Sequence, residues 1–153
     1  MNIFKTLTNN LKITRLTPNS IMKEVKIEIP SLPDNIRVVE SFVDNAKERF
    51  KFSDDMYGNI MVSVTEAVNN AIIHGNNSDK TKNVTIQLLF GDDKMTFIIE
   101  DQGPGFNYEN LPDPTAPENI EKPGGRGIFL IRHLCDELTF NETGSKVEMV
   151  FNV

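Results

Sequence analysis

Apolar and charged residues alternate over "EVKIEIP", which puts Val25, Ile27 and Ile29 on one side of a half-buried strand ended by Pro30. The period then lengthens. Ile36, Val39, Phe42, Val43 and Ala46 recur at helical spacing, predicting a helix from Asn35 with Asp34 as its cap. A second helix is predicted over "FSDDMYGNIMVSVTEAVNNAIIHGN", capped by Ser53 or Asp54 and stopped by Gly75. Alternation returns in "NVTIQLLF" and "MTFIIED", and the intervening "GDDK" makes these a hairpin. "GIFLIRHLCDEL" regains helical spacing near Ile128, and "LTFNETGSKVEMVFNV" reads as a closing hairpin turning at Glu142–Gly144. Between these elements, residues 106–124 hold Pro112, Pro114, Pro117 and Pro123 and little that is apolar. They are predicted to form a long loop, and such a loop in a compact domain is more often functional than not.

Helices and antiparallel hairpins in this order predict an α+β sandwich, with helices covering one face of a sheet. Residues 1–22 lack a clear period and read as a loosely held leader with room for one short strand. Residues 23–153 read as one domain, since 153 residues suffice for one good core and hardly for two. Composition is ordinary for a folded protein, at 39% apolar and 25% charged residues, which excludes wholesale disorder. A net charge of −6 argues against direct nucleic-acid binding. Cys135 is the single cysteine, so no internal disulfide is expected, and it reads as a small packed side chain. No apolar run reaches membrane-spanning length or resembles a signal-peptide core, so a soluble cytoplasmic protein is expected.

The second helix raises a question of chemistry. Asparagine is a mediocre helix former, because its amide competes for nearby backbone groups. Yet this helix carries Asn69 and Asn70 beside Glu66 and His74. Glu66, Asn70 and His74 are four apart and lie along one side, while Val64, Ala67, Val68 and Ala71 face a core. That row is either a solvated edge or the rim of a polar site. In "EDQGPGF", Asp101 ends an apolar strand, and Gly103 and Gly105 allow a tight turn with close backbone approach. A carboxylate so placed accepts a hydrogen bond from an amino group, although D-x-G-x-G also occurs in plain turns. In "KPGGRGIFLI", Gly124, Gly125 and Gly127 precede a helix, where free N–H groups and the helix dipole suit phosphate. The lysine-serine ending of a Walker loop is absent, and no parallel βαβ unit surrounds the motif.

Taken together and in order, "EAVNNAIIHG", "DQGPGF" and "GGRGIFLIRHLCDEL" resemble the N box and the two glycine boxes of the GHKL ATP-binding family. Within it the chain looks most like anti-sigma factors that are serine kinases, the RsbW and SpoIIAB type, over roughly residues 25–153. The resemblance implies a two-layer sandwich with a mostly antiparallel mixed sheet and helices on one face. It implies ATP and Mg²⁺ as cofactors, with Glu66 as general base and Asn70 as the metal ligand. Asp101 matches the residue that recognises the adenine amino group, and Ser145 stands where the family usually has threonine near adenine. Residues 106–124 correspond to a lid, and Gly124, Gly125, Arg126 and Gly127, with Lys122, would cover the phosphates. The implied substrate is an anti-sigma-factor antagonist of the STAS type, the implied sequestered partner a sigma factor, and the implied assembly a homodimer. Asn69, His74, Arg132 and His133 are expected to be surface or helix-end residues. Two other readings stay open: a non-catalytic ATP/ADP-dependent binding switch, and a detached histidine-kinase-like ATP-binding domain.

Overall fold

The computed structural model describes residues 12–17, 20–109, 113, 115, 116, 118 and 126–153. Six strands form one sheet: β1 (Lys12–Thr17), β2 (Ser20–Pro30), β3 (Asn83–Phe90), β4 (Lys94–Glu100), β5 (Glu137–Phe140) and β6 (Lys146–Asn152). Their order is β1-β2-β3-β4-β6-β5. Every pairing among the described strands is antiparallel, in keeping with the mostly antiparallel sheet expected. Three helices, α1 (Ile36–Phe50), α2 (Asp54–Asn70) and α3 (Arg126–Leu134), complete the α+β architecture.

Alternation in the strands decides which face is dry. The register aligns Ile27, Ile86, Ile99, Val147 and Phe140 in one row across the sheet. A neighbouring row holds Val25, Leu88, Phe97, Met149 and Leu138. Val39, Phe42, Val43 and Ala46 of α1 join the same core, with Ile60, Val64, Ala67 and Val68 of α2 and Ile128 and Ile131 of α3. Phe97 meets Phe42 edge-on at 6.4 Å and Phe151 at 6.2 Å, the aromatic geometry that ring quadrupoles favour.

Local signals and helix ends agree in part. Ser53 caps α2, its Oγ accepting from the Met56 N–H at 3.2 Å. Asp34, expected to cap α1, does not. It lies within a 3₁₀ turn, Pro33–Asn35, and Asn35 takes the cap position without a side-chain cap bond. Pro33 presets a helical φ and has no N–H to lose, so the chain begins to coil one residue before Asp34. The second helix also changes character before Gly75. Its α-helical part stops at Asn70, and Ala71–Gly75 form a π turn closed by Asn76 N–H to the Ala71 carbonyl at 2.8 Å. Such turns cluster at functional sites.

Candidate functional site

The core row Ile99–Val147–Phe140 runs out from under the helices into an open cleft of about 410 Å³. Ala71, Ile128 and Phe106 add further apolar walls, while Asn70, His74, Asp101, Arg126 and Ser145 are its polar members. An apolar slot with a few fixed polar groups suits a flat heteroaromatic ligand.

Asp101 is held at one end by contacts that only glycine permits. A Cβ on Gly75 would lie 2.3 Å from the Asp101 Oδ2, and one on Gly103 would lie 1.9 Å from the Gly75 carbonyl oxygen. The Gly103 N–H donates to Asp101 Oδ1 at 2.8 Å, and the Asp101 N–H donates to the Ser145 carbonyl at 2.9 Å. Burial raises the Asp101 pKa, opposed by the Gly103 N–H; nearby Glu100 raises it further and Lys82 lowers it.

The loop after Asp101 is zipped to the β5–β6 turn. Gly105 and Gly144 have φ of +82° and +81°, and the Phe106 N–H donates to the Thr143 carbonyl at 2.9 Å. A Cβ at Gly105 would lie 1.7 Å from that carbonyl oxygen. Ser145 lines the cleft, but its hydroxyl is already engaged by Thr143 Oγ1 at 2.9 Å and Asn141 Nδ2 at 3.2 Å.

At the other end, α3 begins against α2. A Cβ on Gly127 would lie 2.7 Å from Glu66 Oε2 and 3.3 Å from Asn70 Nδ2. The missing side chain therefore lets the start of α3 close on both polar groups. Asn70 lines the cleft; Glu66 stands at its margin, half-buried and without a hydrogen-bond or ion-pair partner among the described residues. His74 is exposed at the rim, and Arg126 opens α3 on the cleft side with its residue surface exposed. Arg132 and His133 are also exposed, with His133 Nδ1 bonded to the Phe129 carbonyl.

Of the residues singled out in the sequence, the structure brings together Glu66, Asn70 and Gly127 at one end. It brings Asp101, Gly103, Gly105 and Ser145 together at the other. Lys122, Gly124 and Gly125, with most of the predicted lid, lie outside the described residues. Sequence reasoning missed Phe106 and Phe140 as cleft walls. The alternation in "ELTF" was the available signal, since it puts Leu138 and Phe140 on the core side of β5.

No group of three His, Cys, Asp or Glu that could hold a metal occurs among the described residues. The donor set at this site is instead the Asn70 amide beside the Glu66 carboxylate. That suits a hard cation shared with ligand phosphates better than an all-protein cage. No described helix is long and apolar enough to cross a membrane.

Comparison with known proteins finds similarity over most of this chain. The family model of the histidine kinase-like ATPase domain matches residues 29–151. The serine-protein kinase RsbW of Oceanobacillus iheyensis is 28% identical over 123 residues, covering 76% of this chain and 78% of that protein. A serine-protein kinase RsbW of Staphylococcus aureus is 29% identical over 135 residues, covering 82% of this chain and 84% of its own. The family match spans the end of β2 to β6 and encloses every residue lining the cleft, so the chain belongs to the histidine kinase-like ATPase domain family.

Proposed function

We propose that this protein is an ATP-dependent serine/threonine kinase that acts as an anti-sigma factor. It phosphorylates a small antagonist of the STAS type and sequesters a sigma factor when that antagonist is absent. The observation that carries the reading is the convergence of Glu66 and Asn70 on Gly127, at one end of a cleft whose other end holds Asp101. Similarity to the RsbW relatives, which are named serine-protein kinases, supports it.

In this reading Asp101 accepts the adenine amino group, with Gly103, Gly105 and Ser145 shaping that end. The apolar walls take the base. The stretch Gly124, Gly125, Arg126 and Gly127, with Lys122, is the proposed phosphate-binding segment, by the backbone N–H groups and cationic side chains of its sequence. Asn70, through its amide oxygen, would help hold a Mg²⁺ ion, whose chemistry would be to neutralise charge on the transferring phosphoryl group. Glu66, which has no competing partner among the described residues, accepts the proton of the attacking hydroxyl. The protein works as a cytoplasmic homodimer.

The test is label transfer from γ-labelled ATP to proteins captured by this chain from native cytoplasm. Glu66→Gln should keep nucleotide binding and slow transfer by about 10²–10⁴-fold. Capture of partners in ATP with no labelling by the parent would leave only a nucleotide-dependent switch, whereas equal labelling by the variant would remove Glu66 as the base.

A further inference from the structure

Asn76 follows the π turn and is fully buried, an unusual place for a side-chain amide. It explains itself through its partners. The Nδ2 donates to Ser31 Oγ at 2.8 Å and to the Asn83 carbonyl at 3.0 Å. The Oδ1 accepts from the Gln102 N–H at 2.8 Å. A carbonyl can only accept and a backbone N–H can only donate, so these partners fix which way the amide faces. The Asn76 N–H closes the π turn on Ala71. Gln102 completes the clasp from outside, its Oε1 accepting from the Asn83 N–H at 2.6 Å.

Four chain segments are thereby tied at one point: the π turn after α2, the residue that follows β2, the start of β3 and the turn that carries Asp101. The consequence falls on the cleft. Gly75 precedes Asn76 and packs on the Asp101 carboxylate, while Gln102 directly follows Asp101. A π turn is a rare alternative to the α-helical register, and returning to that register would rotate Gly75 relative to Asp101.

We propose that Asn76 is a positioning residue for nucleobase recognition: its buried amide holds the π turn and the Asp101 turn in the spacing that presents the carboxylate to the base. This rests on the nucleotide-binding reading above. It adds a residue outside the cleft lining to the machinery of that cleft, acting only through Asp101 and Gly75.

The test is a double-mutant cycle on the full chain, with ATP affinity measured by titration calorimetry well below each protein's thermal midpoint. Folded Asn76→Ala should bind ATP about tenfold more weakly or worse, as loss of buried hydrogen bonds at a recognition group implies. Asp101→Asn should also bind weakly. The double variant should match Asp101→Asn within about twofold, the tolerance expected of a shared route. Gln102→Ala, on the exposed half of the clasp, should show a smaller loss with the same non-additivity, and it carries the test if Asn76→Ala does not fold. A purely structural role would lower the thermal midpoint of Asn76→Ala yet leave ATP affinity unchanged or the two losses additive, and either result overturns the proposal. A parent that binds no ATP would sink the functional reading itself, which the parent titration reports separately.

Discussion

Asp101 is a half-buried carboxylate wedged against Gly75, and burial lifts its pKa above the ordinary value of 3.8. The sign of the stability effect follows. A raised folded-state pKa means that the folded chain binds the proton more tightly than the unfolded chain does. Asp101 therefore contributes stability that is full below about 3.8 and lost as pH rises through its folded pKa. Asp101→Asn keeps the acceptor for the Gly103 N–H and removes the buried charge. Without nucleotide it should be as stable as the parent or more so at neutral pH, and the gap should narrow on acidification. Thermal unfolding of both proteins across that range checks this, and a variant less stable than its parent at neutral pH contradicts it. Nucleotide-free stability and base recognition thus pull opposite ways at this residue. Ser63 presents a different conflict. It is fully buried on α2, and its Oγ has no hydrogen-bond partner among the described residues. An orphaned buried hydroxyl costs about 1–3 kcal/mol, and alanine is the better helix former. Ser63→Ala should raise the urea midpoint, by up to about 1 kcal/mol of stability, without changing the slope. A lower midpoint would mean that the hydroxyl has a use in the folded state.

At the scale of elements, glycines decide how closely the pieces of the site approach, and they are not equivalent. At Gly127 the atom in the way of a side chain is the tip of Glu66, a flexible carboxylate. At Gly105 it is the Thr143 backbone carbonyl, and the φ of +82° is itself unfavourable for any other residue. Gly127→Ala should accordingly keep the fold, because Glu66 can swing aside and alanine favours the helix. It should still slow phosphoryl transfer at least about tenfold, since the proposed base is displaced. Gly105→Ala should instead lose stability, through the joint between the Asp101 loop and the β5–β6 turn. Circular dichroism melts beside the labelling assay separate the two; a Gly127→Ala protein that transfers label at the parent rate would detach Glu66 from the chemistry. The π turn belongs to this scale as well. It separates Asn70, at the phosphate end of the proposed site, from Asn76, at the base end, so one short irregular segment sets the distance between them.

At the scale of the whole molecule, the six strands and three helices of the described residues make one dry layer, and the cleft forms where that layer runs out at the β4–β6–β5 side. Most elements were legible beforehand. The strands around Val25–Ile29, Val84–Leu88 and Met95–Ile99 announce themselves by a period of two, and α1 and α2 by helical spacing. Turn chemistry placed both hairpins, and Ser53 announced its helix. Such signals are local: each depends on neighbours within a turn or a strand, so the chain states them without knowing its fold. The misplaced cap at Asp34 shows the limit, because a proline beside it settled the outcome. The three polar and glycine-rich motifs were also visible, along with the kinds of group they carry. What the sequence alone determined was therefore the inventory of elements, their inward faces and the candidate polar residues. Tertiary structure decided the rest: that Gly127 meets Glu66, that Gly75 meets Asp101, that Phe140 walls the cleft, and that Asn76 ties three other segments to its own. Most of these contacts join residues tens of positions apart, and no local period encodes a distance across the sheet; only the packed register of strands and helices fixes it.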